Sequence, residues 1–188
     1  MIEFDFSIKG NTLTVVSGDH GIGKTEFTIK VATDYVKKTG KSVILLFGKR
    51  PCFYTQKMIN EIPDVSGKKI YILEQLYQYR NELSLINYLE HKIVGFGDIG
   101  LVIIDDDSNF IINQKILLEY RALLTRYPIS VLIISTTKLK KFKTILPLHK
   151  DVNPIYFKMA NEIYEFLPND NYSENGTFEI GCKLKRLK

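Results

Sequence analysis

Apolar residues fall along the chain in short runs separated by stretches of three- and four-residue spacing, the pattern of strands alternating with helices. Ile2, Phe4, Phe6 and Ile8 alternate with polar residues and predict a half-buried edge strand before a turn at Gly10-Asn11. A strand is expected over Thr12 to Val16 and a helix over Lys24 to Lys38, stopped at Thr39-Gly40-Lys41. Ser42 to Phe47 reads as a strand buried on both faces. A short helix follows over Phe53 to Ile62, then a short strand over Lys69 to Leu73. From Glu74 onward Leu76, Tyr79, Leu83, Ile86, Leu89 and Ile93 mark the apolar face of a long helix. Leu101 to Asp105 and Ser130 to Ile134 read as buried strands around a helix from Phe110 to Tyr127. Glu162 to Leu167 and Thr177 to Cys182 read as two strands joined by the polar turn Pro168 to Gly176. The alternation predicts an α/β fold. A mostly parallel sheet carries helices on both faces, with an antiparallel C-terminal strand pair at one side, in one domain over residues 1–188.

The connection between the Thr12–Val16 strand and the following helix carries chemistry. Gly18-Asp19-His20-Gly21-Ile22-Gly23-Lys24-Thr25 is a full match to the phosphate-binding loop pattern GxxxxGK[ST], placed between a strand and a helix as that pattern requires. Glycines 18, 21 and 23 let successive N–H groups turn inward at phosphate oxygens, and the helix N-terminus adds partial positive charge. Lys24 is the candidate contact to the β- and γ-phosphates and Thr25 the candidate magnesium ligand; Glu26 adjoins them in the first helical turn. ATP and Mg²⁺ are the cofactors this loop predicts. Gly95-Phe96-Gly97-Asp98-Ile99-Gly100 matches the dinucleotide pattern GxGxxG, but it follows a helix and precedes a strand, the reverse of what pyrophosphate binding needs.

Asp105 stands at the carboxyl end of its strand, on the sheet edge where the phosphate loop also lies, and is the candidate second holder of the metal. Asp106 and Asp107 follow it. Ser135 and Thr136 end the next core strand on the same edge, where hydroxyls either sense the γ-phosphate or cap the loop.

Composition changes the picture little. The chain has 188 residues, 45% hydrophobic and 25% charged, with a net charge of +5. No apolar run approaches the roughly 20 residues of a membrane span, and Met1 to Phe6 has no signal pattern, so a cytoplasmic protein without membrane contact is expected. Cys52 and Cys182 show no metal-ligand spacing. The positive charge is uneven. Lys138, Lys140, Lys141 and Lys143 crowd one loop, a candidate track for a nucleic-acid backbone, and Lys183, Lys185, Arg186 and Lys188 crowd the end.

On these residues the chain resembles, over nearly its whole length, the RecA-like motor domain of DnaB-type replicative helicases. Lys9 to Gly18 looks like that family's approach to its phosphate loop, Leu101 to Asp105 like its metal-carboxylate strand, Ile133 to Thr136 like its sensor strand, and Ala160 through Lys185 like its closing pair. The resemblance implies a sensor strand lying between the phosphate-loop and metal-carboxylate strands. It also implies single-stranded DNA as partner, a homo-oligomer (a hexameric ring in the family), and a terminal Lys-x-Arg pair acting on the neighbouring subunit's nucleotide. Here that pair reads Lys183-Leu184-Lys185, with Arg186 one position later. Thr136 stands at the family's sensor glutamine and Lys49 at its catalytic glutamate; Asp106 is the candidate substitute for that carboxylate.

Three readings follow. An ATPase of helicase or recombinase type, coupled to single-stranded DNA in replication or recombination, uses the loop, Asp105, Asp106, Thr136 and the terminal cations. A hydrolysis-deficient nucleotide-binding module for regulation or assembly is motivated by Lys49. A small-molecule kinase shares the loop, yet the five arginines, 50, 80, 121, 126 and 186, are scattered rather than gathered in a lid.

Overall fold

The computed structural model describes residues 6–18, 23–47, 57, 60, 69–73, 82–106, 114–136, 154–168 and 182–188. Its strands are β1 (Leu13–Gly18), β2 (Ser42–Phe47), β3 (Ile70–Leu73), β4 (Ile99–Asp106), β5 (Ser130–Thr136), β6 (Glu162–Pro168) and β7 (Cys182–Arg186). Its helices are α1 (Lys24–Thr39), α2 (Glu82–Phe96), α3 (Gln114–Arg126) and α4 (Pro154–Met159). The strands form one sheet in the order β3-β2-β4-β5-β1-β6-β7. All neighbours are parallel except β6 and β7, which pair antiparallel with Tyr164 opposite Arg186. β5 thus lies between β1 and β4, as the resemblance implied.

Strand alternation sorts the core onto two faces. Val16, Val43, Leu45, Leu101, Ile103, Leu132 and Ile134 pack with Phe27, Ala32 and Val36 of α1. Leu13, Val15, Ile44, Ile104, Val131 and Ile133 pack on the other side with Leu85 and Leu89 of α2, Leu117 and Leu123 of α3, and Tyr156 of α4. Each central strand is therefore apolar on both sides, and β2 is buried at all six positions.

α1 is bounded by two glycines in the left-handed region, Gly23 (φ 86°) at its start and Gly40 (φ 68°) at its end, where Gly40 N donates to Val36 O at 2.8 Å. An L side chain adopts that conformation only with strain. Gly100 serves a different need. A β-carbon there would lie 2.6 Å from the Tyr35 hydroxyl and 2.7 Å from Lys41 Cδ, because Tyr35 reaches over β4 to donate to the Gly100 carbonyl at 3.0 Å. Gly100→Val is expected to lower stability by about 2 kcal/mol, read from denaturant midpoints, with part of the loss recovered when Lys41 is shortened to alanine.

One expectation needs correction, and one element was not expected. Phe6 to Lys9, the described part of the predicted edge strand, is not a strand. Phe6 instead meets Phe27 and Tyr164 edge-on over the α1 face (centroids 5.2 and 5.1 Å), and the Lys9 carbonyl accepts from Ser130 Oγ and Thr12 Oγ1. The sheet edge on that side belongs to β7. Of the second terminal strand expected over Thr177 to Cys182, Cys182 alone is described, and it lies in β7 (Cys182–Arg186), which also holds the basic residues Lys183, Lys185 and Arg186. α4 was not expected: it is one and a half turns opened by Pro154, whose fixed φ suits a helix start, and it buries Tyr156 and Met159. α2 also runs through Gly95 and Phe96, and Gly97 closes it at φ 76°, leaving helix then strand across the rejected GxGxxG segment. Of the helix expected over Phe53 to Ile62, Lys57 and Asn60 are described, both helical.

Candidate functional site

β1 delivers Gly18 to the carboxyl edge of the sheet, and α1 begins at Lys24 with Gly23 as its N-cap, unassisted by any side-chain hydrogen bond. The first helical bond, Phe27 N to Gly23 O, is 3.0 Å. Lys24 is buried, and its Nζ donates to the Gly18 carbonyl at 2.8 Å, so the side chain reaches back from the first turn of α1 to the end of β1. A buried ammonium costs desolvation energy, which the bond to the Gly18 carbonyl offsets in part.

α1 runs back over β4, with Tyr35 at the start of that strand and its first turn at the strand's end. Thr25 Oγ1 donates to Asp105 Oδ2 at 3.2 Å, with Asp105 itself 8% exposed. A hydroxyl and a carboxylate, separated by 80 residues in sequence, thereby meet beside the loop. Both are hard oxygen donors, the set that suits Mg²⁺ rather than a softer metal. This donor pair, the left-handed Gly23 and the buried ammonium fit a magnesium–nucleotide complex. No group of three or more potential metal ligands occurs among the described residues.

The remaining candidates are placed as follows. Gly18, Gly23, Lys24, Thr25 and Asp105 come together. Glu26 is exposed in the first turn of α1. Thr136 is in register with Gly18, and Asp106 with Ser135, so both sit on the same sheet edge. Asp19, His20, Gly21, Ile22, Lys49, Lys138, Lys140, Lys141 and Lys143 lie outside the described residues. Lys183 is opposite Leu167 and Lys185 opposite Glu165, on the far side of β6 from the phosphate-loop strand.

Arg186 has a partner within the chain. Its guanidinium donates to Glu162 Oε1 at 3.1 Å and through Nε to the Lys188 carbonyl at 2.9 Å, and Lys9 Nζ donates to the same Glu162 oxygen at 2.6 Å. Tyr164 donates to the other oxygen, and burial followed by the Glu162 charge raises its pKa above that of an ordinary phenol. Glu162 is the buried hub that ties the amino-terminal segment, β6 and the carboxyl end, a role with no local signal because the partners are 153 and 24 residues away. Both cations are more than half exposed. Arg186→Ala is therefore expected to cost no more than about 1 kcal/mol in unfolding free energy and to leave nucleotide affinity of the isolated chain unchanged in a direct titration.

The sequence matches no protein-family profile and no curated protein. Among solved structures, the ATPase domain of G40P superposes with a TM-score of 0.63 at 12% identity, over 89% of this chain and 72% of that one. Among the described residues no helix is long and apolar enough to cross a membrane. With β5 between β1 and β4 and a closing antiparallel pair, the chain shares the fold of that domain, the RecA-like fold that its resemblance to DnaB-type motor domains implied.

Proposed function

We propose that this chain is an ATPase of the RecA/DnaB type that binds ATP with Mg²⁺ and couples its binding or hydrolysis to single-stranded DNA. The observation that carries the reading is the convergence of Lys24, Thr25 and Asp105 at the end of β1 and β4. Backbone N–H groups of residues 18–25 would cradle the phosphates, and Lys24 would exchange the Gly18 carbonyl for β- and γ-phosphate oxygens. Thr25 would hold the metal directly, with Asp105 ordering its water shell. The metal, when bound, neutralises charge on the phosphate oxygens.

Thr136, in register with Gly18, is the proposed contact to the γ-phosphate end, and Asp106 is the candidate carboxylate for the attacking water. Lys183, Lys185 and Arg186 stand on the edge strand β7, where a neighbouring subunit of a homo-oligomer would meet them. The lysines at 138, 140, 141 and 143 are the proposed DNA contacts. The test is steady-state hydrolysis with Mg²⁺ across protein concentrations, with and without single-stranded DNA, against Lys24→Ala. A rate that rises with DNA and more than linearly with protein supports an assembling motor. ATP binding with turnover equal to Lys24→Ala would replace it with a nucleotide-gated module, the outcome that Lys49 would explain.

A further inference from the structure

On the sheet face opposite α1, successive cross-strand rows run Val102–Val131–Leu13, then Ile104–Ile133–Val15–Ile163. The next row, one step nearer the phosphate loop, is Asp106–Ser135–Ser17–Glu165–Lys185, polar on all five strands and continuous in register from β4 to β7. The change from wholly apolar to wholly polar within one row is abrupt. At its centre Ser17 is 1% exposed, and its Oγ has no hydrogen-bond partner among the described residues. Leaving a buried hydroxyl unsatisfied costs roughly 1–3 kcal/mol, so such a group in a functional strand calls for an explanation. Its lateral neighbours Ser135 and Glu165 are both half-buried. β-Carbons of paired residues lie about 5 Å apart, so hydroxyls that do not bond directly are spaced for one bridging water, which needs two or more polar partners and finds them along this row.

We propose that Ser135, Ser17 and Glu165 form a water-completed hydrogen-bond relay that carries away the proton released by nucleotide hydrolysis; the inference rests on the ATPase reading. Hydrolysis forms a bond from the attacking water oxygen to the γ-phosphorus, breaks the bond from that phosphorus to the β–γ bridging oxygen, and at neutral pH releases one proton. The relay passes that proton from the strand ends, through water held by Ser135 and Ser17, to the Glu165 carboxylate. Glu165 returns it to solvent beside the exposed Lys185. Ser17 and Ser135 are positioning residues, and Glu165 is the proton's exit.

Two measurements on the full chain test the relay. Water-to-amide cross-relaxation is recorded by NMR on the nucleotide-free protein, and kcat and nucleotide Kd are compared for wild type, Ser17→Ala, Ser17→Thr and Glu165→Gln. Expected are long-lived water cross-peaks at the Ser17 and Glu165 amides that Ser17→Ala removes and Ser17→Thr keeps. Turnover should fall about 10-fold in Ser17→Ala and about 100-fold in Glu165→Gln, with Kd within about 2-fold of wild type and activity restored by Ser17→Thr. Absence of the water cross-peaks overturns the relay whatever the rates. Cross-peaks with wild-type turnover in Glu165→Gln overturn it too, leaving a hydrated structural row. A wild-type rate no higher than Lys24→Ala removes the ATPase reading itself, and the relay with it.

Discussion

Lys24→Ala is expected to weaken ATP binding at least about 100-fold, close to 3 kcal/mol, with the loss concentrated in the phosphates beyond the first. The ammonium is buried and bonded to the Gly18 carbonyl, at the start of the proposed phosphate loop. Alanine removes both the charge and the donor. Titrating AMP, ADP and ATP separates the terms: affinity for AMP should change little, and the normal gain from ADP to ATP should collapse. The folded state should tolerate the change, because the variant no longer buries a charge. An ATP affinity equal to wild type would mean that the loop at residues 18–25 is not a phosphate site.

Asp105→Asn is expected to act through the metal. The carboxylate accepts from Thr25 Oγ1 at 3.2 Å, and as the charged member of the pair it would hold a hydrated cation as well as the hydroxyl. Asparagine keeps the shape and an acceptor but drops the charge. Magnesium-dependent ATP affinity should fall about 10- to 100-fold, while affinity in EDTA stays near the wild-type value. Because asparagine keeps an acceptor for Thr25 Oγ1, the unfolding midpoint of the nucleotide-free chain should change little. A midpoint that drops would assign Asp105 a structural role in place of a metal-linked one.

Much of this arrangement is legible in the sequence, for identifiable physical reasons. β2 reads cleanly because a run buried on both faces has no polar position to blur it, and Gly40 marks the stop before it. The limits of α1 follow from two glycines that take left-handed conformations. The meeting of Thr25 and Asp105 is inferable because a phosphate loop after one parallel strand and a carboxylate after another lie on the same sheet edge.

Other features depend on tertiary context. The alternation from Ile2 to Ile8 has the strand period, yet its described part packs Phe6 between two aromatic rings, since burial outweighs local pattern. β7 mixes lysines with Leu184, whose half-buried side chain packs on the α1 face, and in sequence its charge outweighs its period. α4 is too short to show helical periodicity. The Lys9–Glu162–Arg186 hub and the polar row through Ser17 exist only in register, which no segment of the chain records by itself.

The most direct measurement is a crystal structure with Mg²⁺ and a non-hydrolysable ATP analogue. The expected result has Lys24 Nζ moved from the Gly18 carbonyl to hydrogen-bond distance of the β- and γ-phosphate oxygens, the metal bound to Thr25 Oγ1, and Asp105 in contact with the metal's water shell. An analogue bound elsewhere, or Lys24 still on Gly18 with the nucleotide absent at saturating concentration, would contradict the assignment of this site.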